Sequence, residues 1–228
     1  MKISACILAF LLLFYSITSA VFGQISYHFP EASEGQINEA VAKIVPIRWL
    51  PSHPLYFLIR VRETFSRALQ PSSAKRAGFD FVLSGKRLKE AYLLLENGDL
   101  KNTGKSLNRY SSKLADVGKQ LEKARSQNQD IAALTAEMSE RFKNHEVLLY
   151  AISKKSVAGD LDEVINASGD SFVNSIMVIN NILPGVKDRY KTITNAENIE
   201  SSQSAMPTPS PLGTFQASPS ARPKRIIY

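Results

Sequence analysis

One cysteine, three histidines and one tryptophan are all that 228 residues offer of the side chains most often used for redox, metal and aromatic-cage chemistry. The cysteine, Cys6, lies in an N-terminal stretch with the character of an export signal. If that stretch is removed, the remaining chain has no thiol, which excludes a disulfide framework and a thiolate metal site. A lipid-accepting cysteine should follow the apolar stretch, and Cys6 precedes it, so the lipoprotein reading also fails. No H-E-x-x-H, G-x-S-x-G or glycine-rich phosphate loop occurs. The histidines are dispersed: His28 in a weakly patterned segment, His53 between two prolines, and His145 beside an apolar helical stripe, where a partly buried, satisfied ring is expected. Asp160, Asp162 and Glu163 form an acidic cluster, but a calcium loop is broken at Val164 and Ile165. Favourable charge at a helix N-terminus accounts for the cluster. Asn166-Ala167-Ser168 fits a glycosylation acceptor but falls inside a predicted helix. No catalytic, cofactor-binding or metal-binding residue is assigned, and no enzyme is expected.

The first 23 residues are the most informative part of what is present. Lys2 is their one charged side chain; an apolar run follows, and then Thr18, Ser19 and Ala20. A positive start, an apolar middle and a small-residue end make a secretory signal, with cleavage after Ala20 or Gly23. The run from Ile3 to Phe22 also has the 20 residues needed to cross a bilayer, so an uncleaved anchor is the alternative. Either way the chain is expected to be extracytoplasmic. The formal charge of +7 becomes +6 without Lys2. This excess favours an anionic partner, such as an acidic envelope polymer, a lipid surface or another envelope protein. Nucleic acid is not expected, because only Tyr110 and Phe142 lie near the basic stretch and export argues against it.

Residues 24–49 form a leader of weak periodicity, with a short amphipathic helix over 36–45 ended by Pro46. Leu50-Pro51-Ser52-His53-Pro54 marks a helix start, since proline is tolerated in a first turn. Leu55, Leu58, Val61, Phe65 and Leu69 then share one face until Pro71. Ser72 is placed to cap a second long helix over 73–96. In that helix Phe81, Leu88 and Leu95 recur at seven, with the smaller Ala77, Ser84 and Ala91 four residues before each. Gly98 ends it and Asp99 caps the next. Over 100–127, Leu100, Leu107, Leu114 and Leu121 alternate with Thr103, Tyr110, Val117 and Ala124, a 3-4 spacing held for four heptads. Asp130 is placed to cap a helix carrying Ile131, Leu134, Met138, Phe142, Leu149 and Ile152. Asp160 and Glu163 have capping-box spacing ahead of Leu161, Ile165, Phe172, Ile176, Ile179 and Leu183. Pro184-Gly185 closes the pattern.

Short loops between long amphipathic helices imply an all-α, antiparallel bundle of four to five helices over 50–185. Apolar partners on both sides of the heptad helix favour pairing within one chain, hence a monomer. Residues 195–228 are rich in proline and serine and should be disordered. The basic cluster Arg222-Pro223-Lys224-Arg225 reads as part of a solvated tail. The heptad helix has a basic exposed side, net +4 from Asp99 to Arg125. Lys101, Lys105, Arg109 and Lys113 on it are the candidate contact with an anionic surface. Trp49, Tyr56 and Phe57, at the start of the bundle, are expected to pack at a helix junction, an interfacial belt being the alternative.

Leu50-Pro51-x-x-Pro54-x-Tyr56 followed by Arg60 and Glu63 resembles the opening of the bacterial domain family DUF5667. Arg87-Leu88-x-Glu90-Ala91, Gly98-Asp99-Leu100 and Leu107-x-x-Tyr110 are similar to its second and third helices. The resemblance spans about residues 47–150. The chain departs from the family at Ile59, where lysine is usual, and at Gly78, Gly85, Gly104 and Gly118. It implies a bacterial, exported or membrane-anchored helical domain and supplies no activity or site residue. The expected role is therefore a non-enzymatic binding or spacer domain at the cell envelope, with a helical sensor or chaperone for apolar clients as the alternative.

Overall fold

Asn97-Gly98-Asp99 reverses the chain between two long helices, and glycine is required there because φ at Gly98 is +74°. The computed structural model describes residues 27–156, 159 and 161–193. The expected signal or anchor, Cys6, Asp160 and the 195–228 tail lie outside the described residues. The helices are α1 (Glu34–Lys43), α2 (Tyr56–Ala68), α3 (Ser73–Glu96), α4 (Leu100–Ser126), α5 (Ala132–Lys155) and α6 (Asp162–Asn180). A 3₁₀ turn, Lys187–Arg189, follows, and no strand occurs among the described residues. The expected all-α bundle is the fold.

The starts of α1, α3 and α4 follow from side-chain caps, whereas Leu55, Ile131 and Leu161 at the N-caps of α2, α5 and α6 make none. Ser33 and Gln36 make a complete capping box at α1. The Ser72 hydroxyl accepts from Lys75 N at 3.2 Å, and Asp99 accepts from Asn102 N at 3.2 Å. The Asp130 carboxylate accepts from Ala132 N at 3.1 Å. The heptad seams are the core. Leu107, Tyr110, Leu114, Leu121 and Ala124 of α4 are fully buried against Ala77, Leu88 and Ala91 of α3. The alanines let the two backbones approach, and α3–α4 is the most extensive helix interface.

Named contacts give the topology. Ser73, at the start of α3, bonds to Gln127 just beyond the end of α4, so these two run antiparallel. Gly85 and Glu96 of α3 meet His145 and Lys155 of α5 in the same order, so that pair is parallel. Gly104 and Gly118 of α4 meet Leu161 and Val178 in order, which makes α4 and α6 parallel as well. Consecutive helices thus alternate in direction, as the short loops required. However, α4 and α5 face each other across the bundle rather than as close neighbours. The loop after α4 permits this by crossing the end of α3, where the Gln129 side chain accepts from Ala74 N at 2.9 Å.

Two segments outside the expected 50–185 bundle complete the core. Phe29, Ile37, Ala40 and Ile44 are buried before it; Val186, Tyr190, Thr192 and Ile193 are buried after it. Tyr27 lies across Gly169 so closely that a β-carbon there would sit 2.5 Å from its ring. The Tyr190 hydroxyl donates to the Ser139 carbonyl, and Thr192 N and Oγ1 donate to Glu146 at 3.1 and 2.5 Å. Ile37, Ala40 and Ile44 follow the spacing of the short helix expected there, but Phe29, Val186, Tyr190 and Ile193 carry no periodic signal, which is why their burial is not read from sequence. No helix among the described residues is long and apolar enough to cross a membrane. Tyr190→Ala is expected to cost about 3–5 kcal/mol in urea unfolding, as for other buried aromatic truncations. Gly169→Ala should cost about 1–3 kcal/mol through overpacking against Tyr27.

Candidate functional site

Helix α2 is attached to the bundle by its charges. At about 100° per residue, Ile59, Glu63, Tyr56 and Arg67 share one side of it. That side meets α3, where Asp80, Arg87 and Glu90 are buried. The Tyr56 hydroxyl donates to Glu90 Oε2 at 2.7 Å. Arg87 donates to both oxygens of Glu90 at 2.8 Å, to the Tyr56 hydroxyl and to Glu63. Lys86 reaches Glu63 at 2.5 Å. The guanidinium carbons of Arg87 and of Arg109 from α4 lie 5.6 and 5.9 Å from the centre of the Tyr56 ring.

A second cluster lies further along α2. Arg67 Nε donates to Asp80 at 2.7 and 2.9 Å; Lys113 Nζ donates to Asp80 at 3.2 Å and to Asp116 at 2.8 Å. These two clusters join α2, α3 and α4. Burial alone opposes the Arg87 charge, but Glu90 and Glu63 hold its guanidinium above its ordinary range. Burial, then the charge of Glu90, pushes the Tyr56 hydroxyl well above a free tyrosine, so it stays a donor. Cations and carboxylates are matched, and removing one partner would leave a buried charge unpaired. Chemically this is a clamp: each strong acid, base and donor is engaged by another.

The opposite side of α2 is apolar and faces water. Phe57, Val61, Phe65 and Leu69 are 58%, 48%, 66% and 79% exposed, and Leu55 and Leu58 are exposed beside them. The face shared by Leu55, Leu58, Val61, Phe65 and Leu69 is therefore the outer face. The α3 surface beneath α2 decides this, because buried Asp80, Arg87 and Glu90 need polar partners. The aromatic group at this end separates accordingly. Tyr56 is buried, Phe57 is exposed, and half-buried Trp49 stacks on His53 at 5.3 Å.

The four basic residues singled out from sequence also separate. Lys101 and Lys105 are exposed, whereas Arg109 lies over Tyr56 and Lys113 belongs to the Asp80 cluster. Of the histidines, His145 is buried in an aromatic column, stacked on Phe81 at 5.1 Å and edge-on to Phe142 and Tyr110. Gly85 makes room for it, since a β-carbon there would sit 3.0 Å from its Nε2. Burial, aided by the Arg141 charge, pushes His145 down to about 3. His28 and His53 are exposed. Among the described residues no group of three or more His, Cys, Asp or Glu could hold a metal ion. Ser168, in the glycosylation-like triplet, is buried within α6 and donates to the Val164 carbonyl at 2.8 Å.

The molecule is thus a helical-bundle domain in which an ion clamp holds one amphipathic helix with its apolar side outward. The family model of DUF5667, a domain of unknown function, matches residues 48–149 of the chain. No curated protein and no solved structure matches the chain. The matched stretch contains every member of both ion clusters but excludes α1 and α6, which close the core. Tyr56, Glu63, Arg87 and Glu90, quoted above for the resemblance, converge in the clamp. Spacing alone could not show this, since 24 residues separate Glu63 from Arg87.

Arg87→Met is expected to destabilise the chain by about 3–5 kcal/mol in denaturant titration, because Glu63 and Glu90 lose their partner. Phe65→Ser, on the outer side of the same helix, should change stability by less than about 0.5 kcal/mol. His145 sets an acid limb. The unfolded ring takes up a proton near 6.5, the folded ring only near 3, so stability is full above 6.5 and falls with pH between them. The slope from this group is about 1.4 kcal/mol per pH unit. Burial raises Glu146, which works in the opposite sense as pH rises above the ordinary carboxylate value. His145→Gln should flatten the acid limb in stability-versus-pH curves while leaving the Glu146 contribution in place.

Proposed function

We propose that this chain is a non-enzymatic binding or spacer domain on the outer side of a bacterial membrane. The observation supporting this reading is how its polar groups are spent. The clustered acids and bases that join α2, α3 and α4 satisfy one another, while the outward surfaces include exposed cations, Lys101 and Lys105 among them, and an apolar helix face. Such surfaces suit adhesion to an extended partner better than turnover of a small substrate. Lys101 and Lys105, exposed at the start of α4, are the contact for an anionic envelope polymer or lipid surface. Arg109 and Lys113 are positioned for holding α2 instead. The N-terminal stretch, as signal or anchor, would place the domain there.

The outer face of α2 also favours a second reading, a helical sensor or chaperone that takes apolar clients. Suppression of a client's aggregation by the purified chain, lost in Phe65→Ser, would distinguish it. For the first reading, Lys101→Glu with Lys105→Glu should weaken retention on anionic envelope material about tenfold or more, given about 1 kcal/mol per cation at such a surface. Both side chains are exposed, so the fold should be unaffected. Unchanged retention would overturn the assignment.

A further inference from the structure

The outer face of α2 combines an apolar stripe with cations on both sides of it. At about 100° per residue, Phe57, Val61, Phe65, Leu58 and Leu69 cover an arc roughly 120° wide. Its centre is diametrically opposite Glu63, which is engaged in the clamp. Arg62 borders the arc on one side; on the other, Thr64 stands at its edge and exposed Arg60 lies beyond it. Neither arginine takes part in an ion pair among the described residues, nor does Arg48. Arg48 instead lies over the Trp49 ring at 6.0 Å. Trp49 lines a cleft together with Leu58 and Arg62, so an indole sits at the edge of the stripe.

We propose that α2 is an interfacial helix that docks this face on an anionic lipid surface, its apolar side chains entering the acyl boundary and Arg48, Arg60 and Arg62 meeting lipid phosphates. The inference rests on the membrane-side location proposed above. A helix with a wide apolar arc, basic flanks and a neighbouring tryptophan has the composition of segments that lie in the plane of the interface. The clamp supplies what an isolated 13-residue helix lacks. It keeps α2 folded before contact, so no ordering entropy opposes docking.

Other occupants fit less well. An antiparallel pair of α2 helices from two copies would bring Arg60 and Arg62, near mid-helix, against their own counterparts. A client helix or peptide requires a groove, and the cleft at Trp49 and Leu58 does not include Phe57, Val61, Phe65 or Leu69. This face is the outer ridge of one helix.

Trp49 is the chain's one tryptophan and therefore a site-specific reporter. The test uses the full chain with vesicles of phosphatidylcholine carrying phosphatidylglycerol, their acyl chains brominated. Docking should shift Trp49 emission to the blue and quench it. Val61→Glu with Phe65→Glu should weaken the partition read by quenching about tenfold or more. Arg60→Glu with Arg62→Glu should weaken it comparably and reduce its sensitivity to added salt. Circular-dichroism melts of both variants should match the parent, since the altered side chains are exposed. Absence of quenching would overturn the proposal. Quenching equal in the Val61/Phe65 variant would do so too, by showing that the N-terminal run alone carries the chain to lipid. A dimer abolished by that variant would assign the face to a second copy instead. None of these readouts involves Lys101 or Lys105, so failure here is separable from failure of the envelope-retention reading.

Discussion

Arg87 is the side chain on which the arrangement of α2 depends. It is almost fully buried, and a buried guanidinium persists only with carboxylates in reach. Glu90 is supplied three residues along the same helix, but that pairing leaves donors over. The remaining donors draw in Glu63 and the Tyr56 hydroxyl, both from α2. Asp80, seven residues before Arg87 on the same side of α3, imposes the equivalent demand and is met by Arg67. Two demands of this kind on one surface determine which side of α2 turns inward. The apolar stripe is left outside as a result, because burying it here would leave these charges without partners.

The rest of the bundle is held in the ordinary way, by apolar seams and a column of rings. Phe81, Phe142, Phe172 and Tyr190 pass edge to face through the centre, with His145 stacked on Phe81, linking α3, α5, α6 and the final turn. A histidine is tolerated there because it stays neutral, and Gly85 leaves it space. The stretch matching the family model would not close this column, since Phe172 and Tyr190 lie beyond it. In this chain the domain completes its core with a helix on either side of that stretch, α1 and α6. Lys89 contributes by donating to the Ile44 carbonyl at 3.2 Å, at the C-terminus of α1 where a cation is favourable.

These two modes of cohesion divide the molecule by purpose. The apolar column provides stability without exposing anything. The ion clamp sacrifices burial of five large apolar side chains of α2 and displays them in a fixed direction.

The heptad seams of α3 and α4 were legible, because a seven-residue period marks one face for burial, but Asp80, Leu83, Arg87, Glu90 and Leu94 of α3 are buried outside that seam. Caps at Ser72 and Asp99 were equally readable, as local chemistry acting over three residues. His145 was correctly placed by its position beside an apolar stripe. The buried ends were not legible: Phe29, Tyr190 and Ile193 are held by contacts across the bundle and share no period with their neighbours. Nor could the sequence assign the inner side of α2. Its apolar spacing is genuine, and in isolation it predicts burial of Val61 and Phe65. Only the tertiary structure shows a partner surface made of charge, and the electrostatic cost of leaving that charge unpaired outweighs the hydrophobic preference. The sequence by itself determined which segments are helical and which seams of α3 and α4 are core. The tertiary structure decided which face of α2 meets water, because that depends on residues far apart in the chain.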